Sequence, residues 1–145
     1  MRTLHGLKVR LLQLLAMFLP GGTSTRIRLH RWRGVEVGEG TFIGTDVMIE
    51  TMAPELVSIG KDAYLGVRSV IVAHFNDVTP EIVRGRRHSV RIEDQAWVGP
   101  GALIMPGVTI GARSVIGAGS VVTKSIPPDV FAAGNPCRVI RPIEN

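Results

Sequence analysis

The stretch from Ile92 to Val122 divides into steps of six: Ile92-Glu93-Asp94-Gln95-Ala96-Trp97, Val98-Gly99-Pro100-Gly101-Ala102-Leu103, Ile104-Met105-Pro106-Gly107-Val108-Thr109, Ile110-Gly111-Ala112-Arg113-Ser114-Val115, Ile116-Gly117-Ala118-Gly119-Ser120-Val121, and then Val122. Each step opens on an aliphatic residue. The same register runs upstream through Val37, Ile43 and Ile49, then through Ile59, Leu65 and Ile71, so that all twelve positions are Val, Ile or Leu. Gly follows at 38, 44, 60, 66, 99, 111 and 117, seven of the twelve, where 17 Gly in 145 residues would place between one and two by chance. Four places after the aliphatic the side chain is mostly small or β-branched, as at Thr41, Ala63, Ser69, Ala96, Ala102, Ser114 and Ser120.

A buried aliphatic every sixth residue with a frequent Gly behind it is the pattern of a parallel β-helix with triangular coils, three short strands to the turn. Sandwich alternation does not require a strict step of six. Three hexads make one coil, and the twelve make four: 37–54, 59–76, 92–109 and 110–127. The expected organisation is therefore an N-terminal helical and basic segment over 1–36, a β-helix over 37–127 with a loop excursion at 76–91, and a closing segment over 128–145. Residues 55–58 are expected as a second, shorter loop. A single coil buries too little to offset its backbone entropy, and four coils still make a thin prism, so burial between subunits is expected.

Composition narrows the chemistry. At 145 residues with 45% hydrophobic content the chain suits one domain. The lone Cys137 forms no intrachain disulfide, and no Cys/His cluster has metal-ligand spacing, so a reducing compartment and no metal are expected. The net charge of +5 suits an anionic partner. Two Trp, one Tyr and four Phe are too few for a row of base-stacking side chains, which argues against nucleic acid.

Three segments resemble one family, the hexapeptide-repeat acyltransferases, and among them the O-acetyltransferases of galactosides, maltose, antibiotics and surface polysaccharides. They are Arg91-Ile92-Glu93-Asp94-Gln95-Ala96-Trp97-Val98-Gly99, the run from Pro106-Gly107-Val108 to Val122-Thr123-Lys124-Ser125-Ile126-Pro127-Pro128, and Ala133-Gly134-Asn135-Pro136-Cys137-Arg138-Val139-Ile140. The match covers about residues 35 to 142. It implies an all-β fold, a left-handed parallel β-helix with a short N-terminal helix and a C-terminal tail, working as a homotrimer. It also implies acetyl-CoA as co-substrate and a saccharide or sugar-nucleotide acceptor.

Acetyl transfer to an alcohol needs a base, a donor for the oxyanion and a site that holds the thioester beside the acceptor. Histidine suits the base role because imidazole titrates near neutral pH. Of His5, His30, His74 and His88, the resemblance selects His74, at the end of a coil and just ahead of the excursion. His5 and His30 are expected on the surface. His88, ending the basic run from Arg84, is a candidate for substrate contact together with Arg84, although such a run can equally be a solvated loop. Trp97 matches the family's Trp beside the acceptor pocket. Where relatives offer a backbone N–H to the oxyanion this chain has Pro100, which lacks one, leaving Gly101 or Asn76 as candidates. Thr123, Lys124, Arg138 and Arg141 are the expected contacts to the coenzyme's phosphates and adenosine end.

Residues 3–19 read as an amphipathic-to-apolar helix, well short of the ~20 apolar residues a bilayer span needs. It can pack on the β-helix or the trimer, or contact a membrane surface with help from Arg26, Arg28, Arg31 and Arg33. A cleaved signal peptide is disfavoured by the lack of an A-x-A site, and acetyl-CoA is cytosolic, so a cytoplasmic location is expected. A non-catalytic β-helix scaffold is the main alternative function. A γ-type carbonic anhydrase is weaker, since it needs three metal-binding His and the repeat holds only His74.

Overall fold

The structure is a computed structural model and describes residues 2–74 and 88–144. Twelve short strands wind through four coils: β1 (Glu36–Val37), β2 (Phe42–Ile43) and β3 (Met48–Ile49); β4 (Val57–Ile59), β5 (Tyr64–Leu65) and β6 (Val70–Ile71); β7 (Val90–Ile92), β8 (Trp97–Val98) and β9 (Leu103–Ile104); β10 (Thr109–Ile110), β11 (Val115–Ile116) and β12 (Val121–Val122). They stack as three parallel sheets, β1-β4-β7-β10 (sheet A), β2-β5-β8-β11 (sheet B) and β3-β6-β9-β12 (sheet C). Register is strict, with Ile43 beside Leu65, Leu65 beside Val98 and Val98 beside Ile116. The twelve hexad aliphatics all point inward and are buried.

The physical reason for the repeating Gly is the coil above it. A Cβ on Gly38 would meet the Gly60 carbonyl carbon and oxygen at 2.5 Å, and one on Gly99 would meet the Ile116 oxygen at 2.6 Å. These are backbone atoms that cannot swing aside. At nine of the twelve corners the residue three places after the aliphatic takes the left-handed conformation, filled by Gly40, Gly101, Gly107 and Gly119 or by Asp46, Asp62, Arg68, Gln95 and Arg113. The small residue one place further on is buried, and Thr41, Ser114 and Ser120 spend their hydroxyls on backbone carbonyls.

The expected loop at 55–58 is shorter than read from the sequence. A 3₁₀ turn occupies Pro54–Leu56, and β4 resumes at Val57, whose side chain is buried. At the C-terminal end β13 (Val130–Gly134) continues sheet B beside β11, and β14 (Cys137–Pro142) folds back antiparallel on it.

The N-terminal end departs most from expectation. A first helix, α1 (Arg2–Phe18), is followed by a second, α2 (Thr25–Arg33), which hydrophobic periodicity did not announce because its mean hydropathy is low and its sequence, TRIRLHRWR, alternates cations with apolar residues. Its arginines have a use. The N–H groups of the first coil donate to the second, as from Gly38 to Ile59 and from Glu50 to Ile71, so the first coil's own carbonyls have no coil beyond them. Arg31 donates to the Val37 oxygen at 3.0 and 2.7 Å, Arg26 to the Ile43 oxygen at 3.0 Å, and Arg33 to the oxygens of Ile49 and Glu50. One arginine thus caps each of the three faces, satisfying acceptors that would otherwise be an open sheet edge. Charged donors to carbonyls contribute about 1.5–3 kcal/mol each. These three side chains are therefore unavailable for the membrane contact expected of them from the sequence.

Candidate functional site

His74 follows β6 at the corner where sheet C hands over to sheet A. It is half-buried, and its Nδ1 lies 2.6 Å from Glu50 Oε2. Glu50 comes from the coil below, one place after Ile49, a position that holds Gly in most hexads. Its carboxylate is fully buried and gathers further donors: the backbone N–H of Met52 at 2.7 Å and of Ala53 at 3.2 Å on one oxygen, and that of Ala73 at 2.8 Å on the other. Burial pushes the Glu50 carboxyl up, but the hydrogen bond from His74 and those from Met52, Ala73 and Ala53 outweigh it, and the net shift is downward. An ionised carboxylate has only acceptors, so the shared proton sits on His74 Nδ1, and in the neutral ring that tautomer leaves the lone pair on Nε2. That is the arrangement of a general base held by a carboxylate.

Glu50 does not stand out in the sequence. The available signal is an acid in the post-aliphatic position, where only Glu50 and Glu93 among the twelve carry a charge. Its use depends on stacking: Ile49 pairs with Ile71, which brings Glu50 under the chain leading to His74.

The structure brings some expected residues together and separates others. The His88 N–H donates to the Ala73 oxygen at 3.1 Å, so His88 stands beside the turn that carries His74. Arg84 and Asn76 lie outside the described residues. Trp97 is on the outward side of sheet B, half-buried, stacked on Tyr64 at 5.1 Å, which is stacked on Phe42 at 4.9 Å. It therefore stands on a different face of the prism from His74. Gly101 is not a free donor, because its N–H is given to the Val67 oxygen at 2.9 Å; this corrects the expectation that it could serve the oxyanion.

At the other end of the molecule Lys124 and Arg138 line one cleft of about 200 Å³ together with Ser125, Ile126, Cys137 and Val139. Two cations at one cleft suit phosphate groups. Thr123 is exposed and precedes Lys124 directly. Arg141 is directed elsewhere, with its guanidinium 5.9 Å from the Phe131 ring centroid and a hydrogen bond to the Pro142 oxygen. A second cleft of about 400 Å³ on sheet A is lined by Glu36, Arg91, Glu93 and Asp94 and by none of the expected site residues. Among the described residues, no three His, Cys, Asp or Glu side chains are grouped to hold a metal ion.

The expected surface position of His30 is wrong. It is fully buried on the inner side of α2, and neither ring nitrogen has a partner among the described residues. Burial first, then the charges of Arg33 and Arg26, lower its pKa from 6.5 to about 3. His5 is exposed as expected.

Four stacked hexad coils with these motifs form the hexapeptide-repeat left-handed β-helix fold, and residues 89–124 match the family described as bacterial transferase hexapeptide, six repeats. Among its relatives, a galactoside O-acetyltransferase of Lactococcus lactis subsp. lactis (strain IL1403) is 37% identical over 115 residues, 77% of this chain and 56% of that one. A hexapeptide-repeat acetyltransferase of Vibrio cholerae, solved with acetyl coenzyme A, superposes with a TM-score of 0.81 at 25% identity, over 99% of this chain and 89% of the other. A galactoside acetyltransferase solved with coenzyme A gives a TM-score of 0.74 at 28% identity, over 99% and 82%. The resemblance carried by the three sequence motifs is borne out. The chain spans 27% to 56% of the length of the curated relatives it matches.

Proposed function

We propose that the protein is an acetyl-CoA-dependent O-acetyltransferase that acetylates a hydroxyl of a sugar or sugar-like acceptor, with His74 as general base. The observation that carries this reading is the Glu50–His74 pair: a fully buried carboxylate with four donors, aimed at the one repeat histidine. A scaffold would have no use for it. Bound acetyl-CoA supplies the activated carbonyl and a thiolate leaving group. His74 Nε2 takes the proton from the acceptor hydroxyl as its oxygen attacks, Glu50 stabilises the imidazolium that forms, and His74 then returns the proton to the departing sulfur. Lys124 and Arg138 hold the phosphates, with Thr123 beside them. Pro100 and Gly101 offer no free N–H, so the oxyanion donor is assigned to Asn76.

The working unit is a homotrimer. The outward residues of sheet A are polar, Glu36, Ser58, Arg91 and Thr109, whereas those of sheet C are Met48, Val70, Leu103 and Val121 and those of sheet B begin with the Phe42-Tyr64-Trp97 stack. Two apolar faces per prism call for cover. Since Trp97 and His74 stand on different faces, an acceptor pocket walled by both takes Trp97 from a neighbouring subunit. Arg84 and His88 are assigned to the acceptor side. The location is cytoplasmic, where acetyl-CoA is available; no described helix is long and apolar enough to cross a membrane.

The test is thiol release from acetyl-CoA across a panel of glycosides, sugar nucleotides and lipid-linked saccharides. His74→Ala is expected to lower turnover by about 10²- to 10⁴-fold with coenzyme affinity and oligomeric state retained. If the wild-type protein does not bind coenzyme A at all, the enzyme reading fails.

A further inference from the structure

The two sides of α1 have opposite character. Val9, Gln13 and Ala16 are buried against the body of the protein, and Gln13 Nε2 donates to the Val47 oxygen at 3.0 Å. On the other side Leu4, Leu7, Leu11, Leu14 and Phe18 recur at steps of three and four and are 54% to 72% exposed. At 3.6 residues per turn they fill an arc of roughly 80° whose centre lies opposite Val9. Lys8 and Arg10, both exposed, stand on its two borders. The first 35 residues hold seven Lys and Arg and no Asp or Glu, and of the seven only Arg26, Arg31 and Arg33 are spent on the first coil's carbonyls.

That charge distribution decides what covers the stripe. Pairing α1 with α1 of a second copy would bring the bordering cations of both together, with no acid in the segment to answer them. An anionic lipid surface accepts the leucines and neutralises the cations at once, while Lys8 and Arg10 reach up to the headgroups on their long stems. A helix of 17 residues with one face already committed to its own protein lies in the interface and does not cross it.

We propose that α1 is an interfacial helix that seats the enzyme on an anionic bilayer with the Leu4-Leu7-Leu11-Leu14-Phe18 stripe inserted. This contact is separate from acetyl transfer and stands whether or not the catalytic reading does. In a closed threefold assembly three such helices would engage one surface and add avidity.

The experiment is co-sedimentation of the full chain with vesicles of phosphatidylcholine alone and of phosphatidylcholine with phosphatidylglycerol. The protein is expected to partition onto the phosphatidylglycerol vesicles and to be released by salt. A Leu7→Gln/Leu11→Gln/Leu14→Gln variant should lose at least ~30-fold in partitioning, and Lys8→Gln/Arg10→Gln about 10-fold. Both variants should keep the wild-type sedimentation coefficient and coenzyme affinity. Failure of the wild-type protein to bind the anionic vesicles overturns the proposal. So does a change of oligomeric state in the leucine variant, which would show that a second copy covers the stripe.

Discussion

His74 and His30 are both shielded from water, and only His74 has a carboxylate for a partner. At the corner after β6, His74 keeps a fraction of its surface open and shares one nitrogen with a carboxylate whose other lone pairs are all occupied. On the inner side of α2, His30 is sealed, has no hydrogen-bond partner on either nitrogen among the described residues, and feels the charges of Arg33 and Arg26. Burial is common to both. What separates them is a partner that fixes the tautomer, and a second nitrogen that has no partner among the described residues. The first region offers a ring nitrogen to a buried carboxylate, and the second is held neutral.

Arg33 links the two regions, since its charge lowers the pKa of His30 and it donates to the backbone of Glu50. Replacing it by Leu leaves the carbonyls of Ile49 and Glu50 uncapped and removes a buried cation that interacts with the Glu50 carboxylate. The expected loss is about 3–5 kcal/mol in denaturant unfolding, larger than for Glu50→Gln or His30→Leu. A loss below about 1 kcal/mol, the worth of an ordinary hydrogen bond, would mean that the cap and the site are independent.

Glu50→Gln sharpens the contrast from the catalytic side. The amide keeps one oxygen as an acceptor for backbone N–H groups, sets its NH2 against the donors of the other, and no longer fixes the proton on His74 Nδ1. Turnover is expected to fall about 10- to 100-fold, with the melting temperature changed by only a few degrees and His74→Ala in the same background adding less than it does alone. The downward shift of Glu50 means its contribution to stability is present above the ordinary carboxylate range and is lost as pH falls through its lowered value.

His30→Leu is the mildest test, read against pH. The unfolded chain binds a proton at His30 below about 6.5, whereas the folded chain resists it down to about 3. Stability should therefore fall as pH drops through that window, by up to ~1.4 kcal/mol per pH unit. In the Leu variant that slope should flatten, and activity near neutral pH should not change.

The distinction between the two histidines is half legible in the sequence. The coils are readable because a period of six is local: Ile43 or Val98 declares its inward position from its own neighbours, and Gly38 or Gly99 from the backbone that must pass over it. His74 is found through family resemblance, helped by its position at the end of a coil. Glu50 is not, because its meaning comes from a contact 24 residues away that exists only after β3 and β6 stack. The same holds for α2. Arg26, Arg31 and Arg33 look like solvent-facing charge, and only the orphaned carbonyls of Val37, Ile43 and Ile49 explain why they turn inward. Short-range pattern tells which residues are core. Chemistry that depends on which coil lies over which does not appear in it.

The most direct measurement is the ring tautomer of His74, read from its nitrogen shifts in a ¹⁵N-histidine-labelled sample in mildly alkaline buffer, with His74→Ala used for assignment. The account predicts a proton on Nδ1 and a bare Nε2 in the wild-type protein, and a mixture of tautomers in Glu50→Gln. A wild-type ring carrying its proton on Nε2 would contradict it, because the nitrogen meant to receive the acceptor's proton would already be occupied.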